Sequence, residues 1–167
     1  MTGEARANLQ TPQSAQRRWR AGGVLLGLGL GGFFDGIVLH QILQWHHLVS
    51  AAYPPDTLEN LQLNTLADGL FHAASWVFTV LGVGLLWSGL RGSGAHWRTS
   101  AFLGTLLLGW GLFNLVEGLV NHQVLGIHHV RPGPSQLAYD LGFLLWGAAM
   151  LMLGWRLMQA GRWGPER

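Results

Sequence analysis

Two segments of the 167-residue chain hold most of its reactive side chains: DGIVLHQILQWHH at 35–47 and EGLVNHQVLGIHH at 117–129. Each carries one carboxylate and three histidines, and each continues an apolar run. Imidazole and carboxylate donors without thiolate suit Zn, Fe, Mn or Cu(II), and the chain has no Cys to add a sulfur ligand, a disulfide or a thiol nucleophile. Asp35, His40, His72, Glu117 and His122 are the candidate inner ligands, with Asp68 and Asp140 as further candidates, and Gln41 and Gln123 as partners that orient them. Such a set can hold one metal with an open position, or two metals. An open position permits oxygen chemistry, metal-hydroxide hydrolysis or electron transfer, and the residues do not choose among these. For the pairs His46–His47 and His128–His129, two roles stand level: solvated caps at helix C-termini, or metal-entry ligands.

These residues need elements to position them, and composition points to membrane helices. The chain is 49% hydrophobic and 11% charged, with 25 Gly and 9 Trp. A bilayer core of roughly 30 Å is crossed by about 20 apolar residues in a helix. Four stretches qualify, at about 22–43, 66–90, 100–124 and 137–158, giving an all-α, integral membrane four-helix bundle over 20–160. Residues 1–19 then form a polar cytoplasmic tail, with 1–16 expected to be disordered, and 161–167 a second tail. The apolar run after Arg20 is too long for a signal peptide and no small-residue cleavage site follows it closely, so the first span is read as uncleaved.

All ten basic residues are Arg. Arg6, Arg17, Arg18, Arg20, Arg91, Arg98, Arg156, Arg162 and Arg167 fall on one side of this topology and only Arg131 on the other, which places both termini in the cytoplasm. Spread over helix ends, the Arg residues form no nucleic-acid surface. Trp19, Trp87, Trp97, Trp155 and Trp163 fall at the same boundary, as an aromatic belt would. In the first outer loop, Asp56 with Glu59 three residues on forms a capping-box pattern, and Ser135 can cap the fourth span. GLGLGG in the first span follows no strand, so it is not a nucleotide loop.

Aligning residue 23 with 105 matches Gly27, Gly29, Gly36, His40, Gln41, His46 and His47 with Gly109, Gly111, Gly118, His122, Gln123, His128 and His129, with Asp35 on Glu117. Agreement across HQ and HH at fixed spacing is a strong repeat signal. Spans 1–2 and 3–4 form two parallel helix-pair repeats. Spans two and four match weakly, with Asp68 on Asp140 but His72 on Leu144.

Four of the eight acidic residues (Asp35, Asp68, Glu117 and Asp140) fall inside spans, where ionisable groups face a bundle interior or one another. Helix rise places His40, Asp68, His122 and Asp140 in one layer roughly 5 Å below the outer boundary, with Asp35, His72 and Glu117 about one turn deeper. The HH pairs crown the site at the water interface, and only His96 is left on the cytoplasmic side. Gly23, Gly27 and Gly31 allow a neighbouring helix to approach closely.

FDGIVLHQILQWHH, ADGLFH and NLVEGLVNHQVLGIHHVR together resemble a bacterial family of four-span membrane proteins described as a domain of unknown function. The resemblance covers about 20–160 and implies a bacterial inner-membrane location and a four-helix fold, but no activity. The leading expectation is a transition-metal centre of Fe, Cu or Zn near the outer face, and a metal-dependent membrane enzyme, oxidoreductase more than hydrolase, is open. The rivals are a b-type cytochrome binding haem through His40 and His122, a metal-ion or proton transporter using the same groups as a relay, and a metal-delivery assembly factor. The expected surroundings are lipid and no nucleic acid, with a homo-oligomer or a partner membrane protein left open.

Overall fold

The computed structural model describes residues 12–91 and 98–160. Arg6, His96, Trp97, Arg162, Trp163 and Arg167, which entered the topology reading, lie outside the described residues. The described elements are four helices: α1 (Pro12–Phe34), running on into a π-helical segment Asp35–Ile42; α2 (Leu58–Arg91); α3 (Thr99–Glu117), running on into a second π-helical segment Gly118–Val124; and α4 (Gln136–Ala160). All four are long and apolar enough to cross a membrane. The architecture is all-helical, with membrane-length helices packed side by side.

α1 packs on both α2 and α3, and α3 on both α1 and α4. The inner pair is therefore α1 and α3, and the burial of their apolar windows agrees: 50% and 39%, against 11% for α2 and 22% for α4. Glycine makes the inner contact possible. A Cβ on Gly27 would strike the Leu106 carbonyl, and one on Gly109 would strike the Val24 carbonyl, so only hydrogen lets the two backbones meet. Gly23 and Gly31 face the same helix, against Thr105 and against Trp110 and Phe113.

Three local expectations are corrected. Residues 12–16, expected to be disordered, are helical, because Ala15 and Trp19 are buried against Gly89 of α2. Trp19 is consequently no belt residue: it is 4% exposed and its ring lies 6.2 Å from that of Phe102, whereas Trp87 and Trp155 are exposed. The start of α2 is capped by Thr57 rather than Asp56, since the Asn60 N–H donates to Thr57 Oγ1 at 3.2 Å. Ser135 precedes α4, and its backbone carbonyl accepts from the Tyr139 N–H at 3.2 Å.

Both inner helices end alike. Past the π segments the Leu43 N–H donates to Val38 O and the Leu125 N–H to Val120 O, each at 2.8 Å. Gln44 (φ 49°) and Gly126 (φ 58°), which the alignment of the two segments matches, then adopt the left-handed conformation. This reverses the chain and folds residues 45–48 and 127–130 back over the end of the bundle.

Candidate metal centre

A π-helix advances more residues per turn than an α-helix, so positions five apart share a face. This aligns Asp35 with His40 and Glu117 with His122. His40 Nε2 lies 3.1 Å from Asp35 Oδ2, and His122 Nε2 lies 3.0 Å from Glu117 Oε1. On a regular α-helix the same pairs would point about 140° apart.

The chain reversal places the first His of each HH pair inside the protein. The picture of both pairs as a crown in water is corrected here: His46 is 3% and His128 0% exposed. Their rings stack with centroids 4.6 Å apart, and each reaches across to the opposite half. His46 Nδ1 lies 2.8 Å from the Val130 carbonyl, and His128 Nδ1 lies 2.9 Å from the Leu48 carbonyl. A carbonyl only accepts, so both Nδ1 atoms carry the proton; His46 Nε2 then presents a lone pair, while His128 Nε2 meets Glu117 Oε1 at 2.7 Å.

His40 and His122 are held from the same side of the ring. His40 Nδ1 is 2.9 Å from Asp68 Oδ1, and His122 Nδ1 is 3.5 Å from Asp140 Oδ1, a looser contact. All four inner imidazoles thus face an oxygen with Nδ1 and the shared centre with Nε2. This is how proteins orient metal-bound histidines.

Asp68 is saturated. It also meets His47 Nδ1 at 2.7 Å and accepts from Gln41 Nε2 at 3.1 Å and the Leu48 N–H at 2.9 Å. Asp140 meets His129 Nδ1 at 2.7 Å and accepts from the Val130 N–H at 3.0 Å. Asp68, Asp140, His47 and His129 therefore form an outer ring that grips the inner one. His72 joins neither ring. Its Nδ1 donates to the Asp68 backbone carbonyl at 2.7 Å, and it lies over Gly36, stacked on Phe33. Gln123 makes no side-chain hydrogen bond among the described residues.

Two sets of three ligand atoms lie close enough to share an ion: His40, His46 and His128, and Glu117, His122 and His128, the atoms of each set within 4.8 Å of one another. Ligands about 2.0–2.1 Å from a metal lie no more than about 4.2 Å apart, so each set would contract only slightly. The buried polar atoms without a hydrogen-bond partner, among the described residues, all belong to this cluster: Nε2 of His40 and His46, both ring nitrogens of His122, and Glu117 Oε2. These atoms lie near one another and could hold a metal ion. Burial first, and then repulsion from charge on His128 and His40, pushes the His46 pKa down to about 3, which keeps this imidazole a neutral donor at neutral pH. The Leu48 and Val130 carbonyls that orient the site carry no side-chain signal, so sequence reasoning could not name them.

Fold and site define a class: a four-helix membrane protein with a buried histidine–carboxylate cluster at one end of the bundle. The chain belongs to the predicted membrane protein family DUF2243, whose model matches residues 22–161. No curated protein and no solved structure matches it.

Proposed function

We propose that His40, His46, His122 and His128, with Asp35 and Glu117, bind a transition-metal centre of one or two ions. The observation that carries this reading is the set of orphaned Nε2 and carboxylate atoms facing one another while Nδ1 of every inner ring faces an oxygen. Nitrogen and oxygen donors favour Fe, Cu or Zn here. When bound, the metal supplies Lewis acidity or one-electron chemistry. The chain's residues orient the ligands and keep water out. Inner ligands no more than 5% exposed suit electron transfer or a small apolar substrate better than hydrolysis of a polar one, so an oxidoreductase is the favoured reaction class. The Arg distribution supports an orientation with both termini cytoplasmic and the centre beneath the outer surface of a bacterial inner membrane. The membrane domain then spans 20–160.

Two rivals fare less well. The rings of His46 and His128 stand between those of His40 and His122, at centroid distances of 4.5–6.4 Å, in the space a porphyrin would need. At the other end of the bundle Thr79 and Thr105 bond their own helix carbonyls rather than lining a polar path for an ion.

Metal analysis of the detergent-purified protein, with an absorption spectrum, tests the proposal. The expected result is about one or two equivalents of Fe, Cu or Zn, lost when His40→Ala and His122→Ala are combined. Protein that folds but holds only a trace of metal after reconstitution, or that shows a Soret band, would overturn it.

A further inference from the structure

Between α1, α3 and α4 lies a cavity of about 310 Å³ that the metal proposal leaves unused. Its walls are aromatic. Phe34 and Trp110, with ring centroids 5.4 Å apart, line it together with Phe143 and Trp146 of α4. Phe34 is 47% and Trp146 61% exposed, so the slot opens sideways on the apolar flank of the helices. Tyr139 also lines it. The Arg131 guanidinium lies 5.2 Å over the Trp45 ring and 5.5 Å over the Tyr139 ring, and donates to the Tyr139 hydroxyl at 2.9 Å.

One wall carries a polar group that packing does not explain. Asn114 lines the cavity and is 2% exposed, and its side-chain amide makes no hydrogen bond among the described residues. Its amide atoms are not sealed off like the orphaned atoms of the imidazole cluster, so they stay open to a hydrogen-bond partner in the slot. A lipid chain entering the slot would cover its apolar walls and still leave that amide unpaired. At the matching positions of the first half stand Gly32 and Ala74, so the amide and the indole of this slot are particular to the second half.

We propose that this slot binds a lipid-soluble planar ring bearing a carbonyl or hydroxyl oxygen, the chemical class of quinones and quinols. The ring lies between the aromatic walls, its oxygen meets the Asn114 amide, and its tail leaves through the lateral opening. The volume is at the lower end of small-molecule pockets and suits one substituted ring. Phe143 lines the slot, and its ring stands 5.5 Å from that of His122. One side chain therefore separates the slot from the imidazole cluster. Binding in the slot does not depend on what the cluster holds.

The test uses the full chain in detergent, a short-chain alkyl benzoquinone as probe, and quenching of tryptophan fluorescence as readout, since Trp110 and Trp146 line the slot. Gly142 also lines it, and a Cβ there meets nothing within 4 Å, so Gly142→Leu fills the slot without disturbing the fold. Gly84→Leu, on α2 in equally open surroundings, is the control. Gly142→Leu is expected to weaken binding at least about ten-fold and Gly84→Leu to leave it within about two-fold. Asn114→Leu is expected to weaken the benzoquinone about ten-fold and to leave an alkylbenzene with the same tail unchanged. Equal binding by the Gly142→Leu and Gly84→Leu proteins would overturn the proposal. So would wild-type protein that binds the alkylbenzene as tightly as the benzoquinone, which marks a groove for acyl chains only. Gel filtration and far-UV circular dichroism establish that each variant is folded.

Discussion

Asp68→Asn is the perturbation that best probes how the outer ring supports the inner one. The two oxygens of Asp68 divide four donors: Oδ1 meets His40 Nδ1 and the Leu48 N–H, and Oδ2 meets His47 Nδ1 and Gln41 Nε2. An amide of the same shape keeps one oxygen and turns the other position into a donor that faces two donors. The amide group settles with its NH₂ toward His47 and Gln41, which reach solvent, and its oxygen toward His40. The imidazole keeps a contact and loses the negative charge behind it. Loss of such a supporting group costs about 10–100-fold in metal affinity, or about 1.4–2.7 kcal/mol. Asp140→Asn should cost less, about ten-fold or below, because His122 Nδ1 already stands 3.5 Å from Asp140. Competition against a chromophoric chelator in detergent, with each variant measured against the same indicator, gives the ranking. An Asp68→Asn protein that binds metal within about two-fold of wild type, or one that binds more tightly than Asp140→Asn, would refute the account of the outer ring.

Two further outcomes follow from the loops. Gln44 occupies a left-handed position at φ 49°, which costs a side-chain-bearing residue about 1–2 kcal/mol. Gln44→Gly should raise the thermal unfolding midpoint and Gly126→Ala should lower it, and no change in either would show that the turn is not strained. His46 has its pKa held at about 3, against 6.5 for a free imidazole. The folded state therefore resists a proton that the unfolded state accepts, so this stability is present above about pH 6.5 and lost as pH falls below it. Between about pH 7.5 and pH 5.5 the metal-free protein should lose about 1 kcal/mol through this group. The pH slope of the melting midpoint should flatten in His46→Gln, and an unchanged slope would contradict the assignment.

Much of the fold was legible because composition and length suffice for it. Four apolar runs of spanning length and a shortage of charge leave few alternatives to membrane helices. The convergence of polar residues at one end was legible too, since alternate spans run in opposite directions. What could not be read was the local winding. A regular α-helix sets depth and phase in a sequence reading, whereas the π-helical segments change which residues share a face, so no sequence signal pairs Asp35 with His40. The inward turn of His46 and His128 depends on left-handed residues at 44 and 126. Gly126 hints at one, but Gln44 carries no such signal. His72 shows the opposite failure: correct depth and residue type do not bring it to the cluster, because a hydrogen bond to its own helix and its seat over Gly36 hold it elsewhere.

The crossed contacts His46–Val130 and His128–Leu48 make the two loops at this end of the bundle a mutual latch. Lifting residues 45–48 withdraws one imidazole and, in the same movement, removes the carbonyl that aims the other. Neither loop can open alone without dismantling both ends of the clasp. Entry and escape of an ion bound as proposed should therefore be concerted, with no stable half-open form in which one half of the cluster stays assembled.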